Sequence, residues 1–160
     1  MQPDTSDEIL MINTPLGKMI AVTDGEAIVS LDFTDDIFVS NHSNHPLLLQ
    51  LEKELGEYFA GERTSFSLPL NPKGTPFQQA VWKTLQTIPY GETISYAKEA
   101  QLFGNPKAIR AVASANGRNP IAILIPCHRV IASGGGIGGY SGGIEKKTFL
   151  LALEKDLSVK

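Results

Sequence analysis

Residues 121 to 143 read IAILIPCHRVIASGGGIGGYSGG, an apolar run followed by a proline, a cysteine and a glycine-rich segment. The apolar run, Ile121–Ile125, is too short to cross a bilayer and is rich in β-branched residues, which predicts a buried strand. Pro126 lacks the N–H that a sheet needs, so we expect the chain to turn there. The turn would present Cys127, the only cysteine of the 160 residues, at the floor of a cleft.

The segment that follows is rich in glycine, with seven glycines between Gly134 and Gly143. Glycine lets the backbone approach a flat ligand closely and leaves N–H groups free to donate to ligand oxygens. Gly134, Gly136 and Gly139 also form a G-x-G-x-x-G pattern, as in dinucleotide-binding folds. That motif should open a helix and be followed by a second strand, and only one helix fits in the remaining sequence. We therefore reject the dinucleotide interpretation.

Two interpretations of Cys127 are open at this point. A lone cysteine in a cytosolic protein is most often an inert buried side chain. As a nucleophile it would need a base, and His128 is the next residue. Neighbours on a strand point to opposite faces, so contact between the two side chains requires a turn or a bridging water.

The formal charge of −3 is unevenly distributed along the chain. Residues 1–75 carry twelve acidic and four basic residues, whereas residues 76–160 carry five acidic and ten basic residues. A basic half suits a nucleic-acid partner, because neutralising phosphates supplies most of the non-specific affinity. A chance imbalance of surface charge is the alternative.

Cysteine and histidine content argues against a metal or disulfide framework. One cysteine excludes an intramolecular disulfide and any multi-cysteine zinc site. His42 and His45 lie in a polar stretch without a third ligand, so no metal site is predicted there. The first eight residues are polar and acidic, without a secretory signal, which predicts a cytosolic, cytoplasmic protein that does not engage a membrane.

The N-terminal half, residues 1–70, predicts a small α/β domain without a catalytic constellation. Three antiparallel strands are predicted, at Glu8–Asn13, Lys18–Thr23 and Glu26–Phe33. Pro46 opens a helix, and the alternation of Phe66, Leu68 and Leu70 predicts a further short strand. Residues 71–75 are interpreted as the linker to a second domain, residues 76–160.

The second half predicts a helix-turn-helix, formed by a helix capped at Ser95, a turn at Gly104 and a helix that begins at Asn105 and Pro106. One face of the latter helix carries small and basic residues that could approach a DNA groove closely: Lys107, Arg110, Ala111, Ser114 and Ala115. A solvated basic face with alanines chosen for helix propensity is the alternative.

Taken together, PCHRVIASGGGIGGYSGG resembles the active-site segment of the O6-alkylguanine-DNA alkyltransferases, also called methylated-DNA–protein-cysteine methyltransferases. The resemblance continues upstream through ISYAKEAQLFGNPKAIRAVASANGRNP, covers about residues 75–155, and reaches the N-terminal half only in general character. Ala113 and Ser114 stand where relatives often carry glycine or another small residue. The resemblance implies an α/β (α+β) fold class, with an antiparallel sheet in the N-terminal domain and a winged-helix-like C-terminal domain.

The resemblance also implies roles for individual residues. Cys127 would accept the alkyl group irreversibly, activated by His128 and Glu154 through a water. Tyr96 would crowd the flanking phosphate and donate a proton to the leaving guanine, and Asn119 would tie the turn before the active-site segment. Glu154 has independent support, because a carboxylate on the apolar face of the last helix needs a partner.

Substrate contacts follow from the same resemblance. Arg110 would enter the base stack and hold the place of a flipped O6-alkylguanine, or of an O4-alkylthymine. The base pocket would be lined by Val130, Ile137, Tyr140 and Ser141. The expected partner is double-stranded DNA, with no cofactor, no metal and no required protein partner, and the protein is expected to act as a monomer.

Two other classes remain as alternatives. A winged-helix regulator with a structural cysteine would bind one DNA sequence and survive alkylating agents unmodified. A cysteine hydrolase built on Cys127 and His128 would turn over on an ester or peptide and would need no basic half, and adjacent residues make a poor dyad.

Overall fold

The computed structural model describes residues 7–35, 43–134 and 136–158. The chain divides into two compact units, Met1–Lys73 and Gly74–Lys160, and each is described by itself. Within the described residues, no helix combines the length and apolar character needed to span a membrane.

The first unit is a three-stranded antiparallel sheet with one helix. Strands β1 (Glu8–Thr14), β2 (Gly17–Thr23) and β3 (Ile28–Phe33) lie in the order β1-β2-β3. Helix α1 (Pro46–Phe59) contributes the buried side chains Leu48, Leu51, Leu55 and Tyr58. β3 begins two residues later than predicted, because Asp24 Oδ1 accepts from the backbone N–H groups of Glu26 and Ala27 and holds them in a turn.

The predicted strand from Phe66 to Leu70 is wrong. Only Leu70 bridges β3, at Ile28. The backbone before it is held by a side chain instead, since Ser67 donates from both its N–H and its hydroxyl to the buried carboxylate of Glu54. His45 caps α1, with Nδ1 accepting from the N–H of Leu47, while His42 lies outside the described residues.

The second unit is mostly helical. Its helices are α2 (Pro76–Leu85), α3 (Tyr96–Phe103), α4 (Ile109–Gly117) and α5 (Ile144–Ser158). Two short strands, β4 (Ile94–Ser95) and β5 (Val130–Ile131), pair in parallel. With the antiparallel sheet of the first unit and the helix-turn-helix α3–α4, this confirms the predicted fold class.

Local signals place α3 and α4. Ser95 caps α3 by accepting from the N–H of Lys98, and Gly104 ends it in the left-handed conformation, at φ 106°. The prediction that α4 begins at residue 105 is wrong. The side chain and carbonyl of Asn105 accept from the N–H groups of Lys107 and Ala108, so the chain makes a separate turn first. Lys107 therefore lies before α4.

Helices α2, α3 and α4 pack against one another, and Trp82 on α2 is buried. Its indole N–H donates to the carbonyl of Ala115 on α4 at 2.9 Å. Thr75 and Gln78 form the predicted capping box at the start of α2. Trp82 thus fixes α4 at the point where the helix approaches the cysteine segment.

Candidate active site

The apolar run before the cysteine is a buried turn, so the predicted strand Ile121–Ile125 is wrong. The N–H of Ile125 donates to the carbonyl of Ile121 at 3.1 Å, and Ile123 adopts a positive φ of 72°. Asn119 closes the turn, because its Oδ1 accepts from the N–H of Ile121 and its Nδ2 donates to the carbonyl of Ile125. The side chain of Asn119 therefore makes the hydrogen bonds that a neighbouring strand would otherwise make to these backbone groups.

Cys127 is the first residue of a short 3-10 helix, Cys127–Arg129, and is only 7% exposed. Asn119 Nδ2 lies 3.4 Å from its Sγ. The thiol opens onto a cavity of about 300 Å3. The residues that line this cavity are Tyr96, Ala113, Asn116, Gly117, Cys127, Gly139, Tyr140 and Ser141.

Burial raises the pKa of Cys127, against the amide of Asn119 and the charge of Lys147, which lower it. The resting side chain is therefore a thiol, and a reaction through sulfur needs a base. The structure supplies one in the next residue.

His128 is fully buried, and its Nε2 lies 2.7 Å from Oε2 of Glu154. Burial lowers the pKa of His128, and the carboxylate of Glu154 opposes this effect only in part. Burial would raise the pKa of Glu154, but His128 and Arg129 outweigh it and hold that pKa at about 2. A neutral imidazole next to a carboxylate must carry its proton on Nε2, so Nδ1 is the free acceptor.

Nδ1 of His128 is buried and has no hydrogen-bond partner among the described residues. A buried ring nitrogen with a lone pair and no protein partner is suited to accept a proton from a small molecule such as water. The 3-10 helix that follows the turn at Pro126 places the side chains of consecutive residues 127 and 128 on the inside of the unit.

Arg129 completes this cluster and was missed by the sequence interpretation. Its Nε donates to Oε1 of Glu154 at 2.8 Å, and another guanidinium nitrogen donates to Oε2 at 3.1 Å. A third bond reaches the carbonyl of Ile88 at 2.7 Å. The guanidinium fixes the carboxylate in the orientation that meets His128 and keeps it ionised.

Tyr96, the first residue of α3, lies under the glycine-rich loop. A Cβ on Gly138 would lie 2.8 Å from its hydroxyl oxygen, so the loop approaches the phenol as closely as only glycine permits. Burial raises the pKa of Tyr96, against the backbone N–H of Gly139, which lowers it. The phenol stays protonated and can act as a proton donor.

Lys147 was also missed, and it is fully buried. Its Nζ donates to the carbonyls of Val130 at 2.6 Å and Gly139 at 3.0 Å, and lies 5.9 Å from the centre of the Tyr96 ring. The signal was its spacing from Glu154, since residues 147 and 154 are two turns apart on one face of α5. The ammonium group ties β5 to the glycine-rich loop.

The remaining predicted contacts divide into three groups. Lys107, Arg110, Ala111 and Ser114 are exposed, as a DNA-contacting surface requires. Ala115 is 2% exposed, because it packs over Trp82, so the prediction that it contacts DNA is not supported. Val130 and Ile137, which are predicted to line the base pocket, do not line the cavity at Cys127. Val130 is fully buried in β5, and Ile137 lines a separate cavity beside Glu154.

No group of three or more histidine, cysteine, aspartate or glutamate side chains within the described residues is arranged to hold a metal ion. Together, the helix-turn-helix and the buried cluster define the class of protein. It is a helix-turn-helix protein whose cysteine opens onto a cavity beside a His–Glu–Arg cluster.

Comparison with known proteins agrees with this description. Residues 76–156 match the family model for the DNA-binding domain of 6-O-methylguanine DNA methyltransferase, and residues 10–72 match the model for its ribonuclease-like domain. The constitutive methylated-DNA–protein-cysteine methyltransferase of Bacillus subtilis is 46% identical over 151 residues, which cover 89% of this chain and 92% of the relative. The Haemophilus influenzae protein of that name is 43% identical over 148 residues, covering 89% and 83%.

A crystal structure of Mycobacterium tuberculosis OGT in complex with DNA aligns with a TM-score of 0.85 and 43% identity, covering 94% of both chains. The chain belongs to the 6-O-methylguanine DNA methyltransferase family.

Proposed function

We propose that the protein repairs DNA by direct reversal, transferring the alkyl group of O6-alkylguanine to Cys127 in a single turnover. The observation that carries the proposal is the 2.7 Å contact between His128 and an ionised Glu154. His128 directly follows Cys127, whose thiol opens onto a cavity. Family membership and the names of the relatives point to the same reaction.

The chemistry is a displacement at carbon. The sulfur of Cys127 forms a bond to the alkyl carbon while the bond from that carbon to O6 of guanine breaks. The thiol proton passes through a water to Nδ1 of His128, and Glu154 stabilises the imidazolium. Tyr96 donates a proton to the departing guanine, which leaves as the neutral base. A thioether is not cleaved by water, and the chain holds no second cysteine to resolve it, so each molecule reacts once.

The supporting residues have positioning roles. Asn119 holds the turn before Cys127 and places an N–H near its sulfur. Arg129 orients Glu154, and Tyr140 and Ser141 line the cavity that receives the base.

Access to the target atom requires the base to leave the helix stack. Arg110 is exposed on α4, the helix that also contributes Ala113 and Gly117 to the cavity wall. We assign it to the gap left by the flipped nucleotide. Lys107, Ala111 and Ser114 would then contact the DNA along the same helix and the turn before it.

The same pocket would accept O4-alkylthymine, which presents an alkylated exocyclic oxygen beside a ring nitrogen as guanine does. The protein would act as a monomer in the compartment that holds DNA, which is the cytoplasm of a prokaryote or the nucleus of a eukaryote.

Incubation with duplex DNA that carries one O6-methylguanine tests the function against its two rivals. The proposal expects the lesion to become guanine and Cys127 to gain the methyl group. Sequence-specific binding without loss of the lesion would favour a regulator, and continued hydrolysis of model esters would favour a hydrolase.

A further inference from the structure

A second buried carboxylate lies next to the cavity and has no role in the chemistry above. Glu99, on α3, is fully buried, and its Oε1 accepts a hydrogen bond from Nδ2 of Asn116 at 2.7 Å. Among the described residues, no cation forms an ion pair with it, in contrast to the pairing of Glu154 with Arg129. A buried carboxylate without a cation is costly to ionise.

The two side-chain oxygens of this pair that have no hydrogen-bond partner can bond to each other only when Glu99 is neutral. Oε2 of Glu99 and Oδ1 of Asn116 are both buried and have no hydrogen-bond partner among the described residues. Both are acceptors when Glu99 is ionised. A proton on Oε2 converts that atom into a donor for which the Asn116 oxygen is an acceptor. The neutral acid is therefore the form in which carboxyl and amide can satisfy each other.

Asn116 connects this pair to the reaction, because it lines the cavity together with Cys127 and Tyr96. Burial raises the pKa of Glu99 to about 7, with the Asn116 amide opposing the rise. The ionised form of Glu99 in turn adds to the rise in the pKa of both Cys127 and Tyr96. Loss of the Glu99 proton thus disfavours the thiolate.

The surroundings of Glu99 contain few other charges. The elements that pack against α3 are α2, α4, β4 and β5. The two strands carry no ionisable residue, and the ionisable residues of the two helices, Lys83 and Arg110, are exposed. On α3 itself, Lys98 is exposed. The ionisable groups that act on the site with Glu99 are Tyr96 on its own helix, Cys127, and Lys147 of α5, whose charge lowers the pKa of Cys127.

We propose that Glu99 and Asn116 form a positioning pair for alkyl transfer, in which neutral Glu99 holds the Asn116 amide at the cavity wall and loss of its proton slows the reaction of Cys127. This inference rests on the proposed function. It assigns to Glu99 no contact with the substrate.

The test is the rate of methyl transfer from O6-methylguanine duplex DNA, measured between pH 5.5 and pH 8.5 for the wild type and for Glu99→Gln. A glutamine mimics the neutral acid, since it accepts from and donates to the Asn116 amide. We expect the two rates to agree within about twofold at pH 5.5, and the variant to be at least about threefold faster at pH 8.5, because each pKa unit changes the thiolate fraction tenfold. A ratio that does not change with pH would overturn the inference.

A second variant separates the charge from the hydrogen bond and carries the test if Glu99→Gln does not fold. Glu99→Leu removes the charge and also the acceptor for Asn116. Its rate relative to wild type should rise with pH by a similar factor, but from a lower starting value at pH 5.5. Fluorescence of Trp82, the only tryptophan, reports whether each variant is folded. A constant relative rate for Glu99→Leu would likewise contradict the proposal.

Methyl transfer by the wild-type protein distinguishes a failure of the proposed function from a failure of the role given to Glu99. If the protein gains no methyl group at any pH, the proposed function is wrong, and this inference falls with it. If the wild type reacts and the ratios stay flat, only the role of Glu99 is wrong.

Discussion

Nε2 of His128 lies 2.7 Å from Oε2 of Glu154, and this contact determines which nitrogen of the imidazole is free to act as a base. Since the pKa of Glu154 is held at about 2, the carboxylate accepts and the imidazole donates. The cysteine next to it is a thiol at rest, so the reactivity of the site depends on that orientation.

Glu154→Gln should slow methyl transfer at neutral pH by about a hundredfold or more, the usual contribution of a general base. The new amide can donate to Nε2, which moves the imidazole proton to Nδ1 and removes the base. Part of the loss should be regained as the pH rises and the thiol ionises unaided. The measurement is the rate of transfer against pH, with Glu145→Gln at the exposed start of α5 as control. Equal slowing at every pH would indicate a packing role only.

The same carboxylate should stabilise the fold in a pH-dependent way. The folded-state pKa of Glu154 is lowered from 4.5 to about 2, so its contribution is full above the unfolded pKa and is lost as the pH falls through the folded value. The contribution is about 3 kcal/mol, of which about 2 kcal/mol should be lost between pH 6 and pH 3.

Urea unfolding followed by Trp82 fluorescence measures the contribution of Glu154 to the free energy of unfolding, because Trp82 lies in the same unit as Glu154. The difference in unfolding free energy between wild type and Glu154→Gln should shrink over that range. A difference that is constant or grows toward acid would contradict the assignment of Glu154 as the ionised partner of His128 and Arg129.

Much of the fold was predictable from local signals. Alternation and tight turns located the first three strands, and the capping residues Thr75 and Ser95 located α2 and α3, because these signals act over a few residues. The run Ile121–Ile125 was misassigned since its hydrophobicity reports burial alone. Its conformation is set by hydrogen bonds from Asn119, whose reach no periodicity reveals.

In the candidate site, too, some residues are predictable from the sequence and others only from the packing. The family resemblance identifies Cys127 and His128, which are adjacent in sequence, and the interruption of an apolar face identifies the carboxylate of Glu154. Arg129 and Glu99 were missed because basic and acidic residues on short elements are usually solvated. Only the three-dimensional packing shows that one is paired with a carboxylate and the other has only an amide.

Gly138→Ala should slow alkyl transfer to Cys127, both from duplex DNA and from a free O6-benzylguanine base, by roughly tenfold to a hundredfold, as expected for a displacement near 1 Å. The added Cβ would lie 2.8 Å from the hydroxyl oxygen of Tyr96, so either the loop or the phenol must move. Gly134→Ala is the matched control, because Gly134 also has a positive φ but faces open space. Equal rates for the two variants would show that the close approach to Tyr96 has no part in catalysis.

Arg110→Ala should slow repair within duplex DNA and leave reaction with free O6-benzylguanine nearly unchanged, provided that base fits the cavity. The arginine acts on base extrusion, which costs on the order of a few kcal/mol, and a free base has no stack to leave. Lys83→Ala removes the same charge from an exposed position on α2 and serves as control. If Arg110→Ala slows both reactions equally, the side chain shapes the cavity or the fold instead.

The central claim is that Cys127 accepts one alkyl group and is then spent. Intact-mass spectrometry, after incubation with an excess of duplex DNA containing O6-methylguanine, measures this directly. The account predicts a gain of one methylene per molecule, located on Cys127 by peptide mapping, and repair that stops at one equivalent. Cys127→Ser should gain nothing while still binding the DNA, since the thiol makes no phosphate contact. An unmodified Cys127 with the lesion intact, or repair that continues beyond one equivalent, would contradict it.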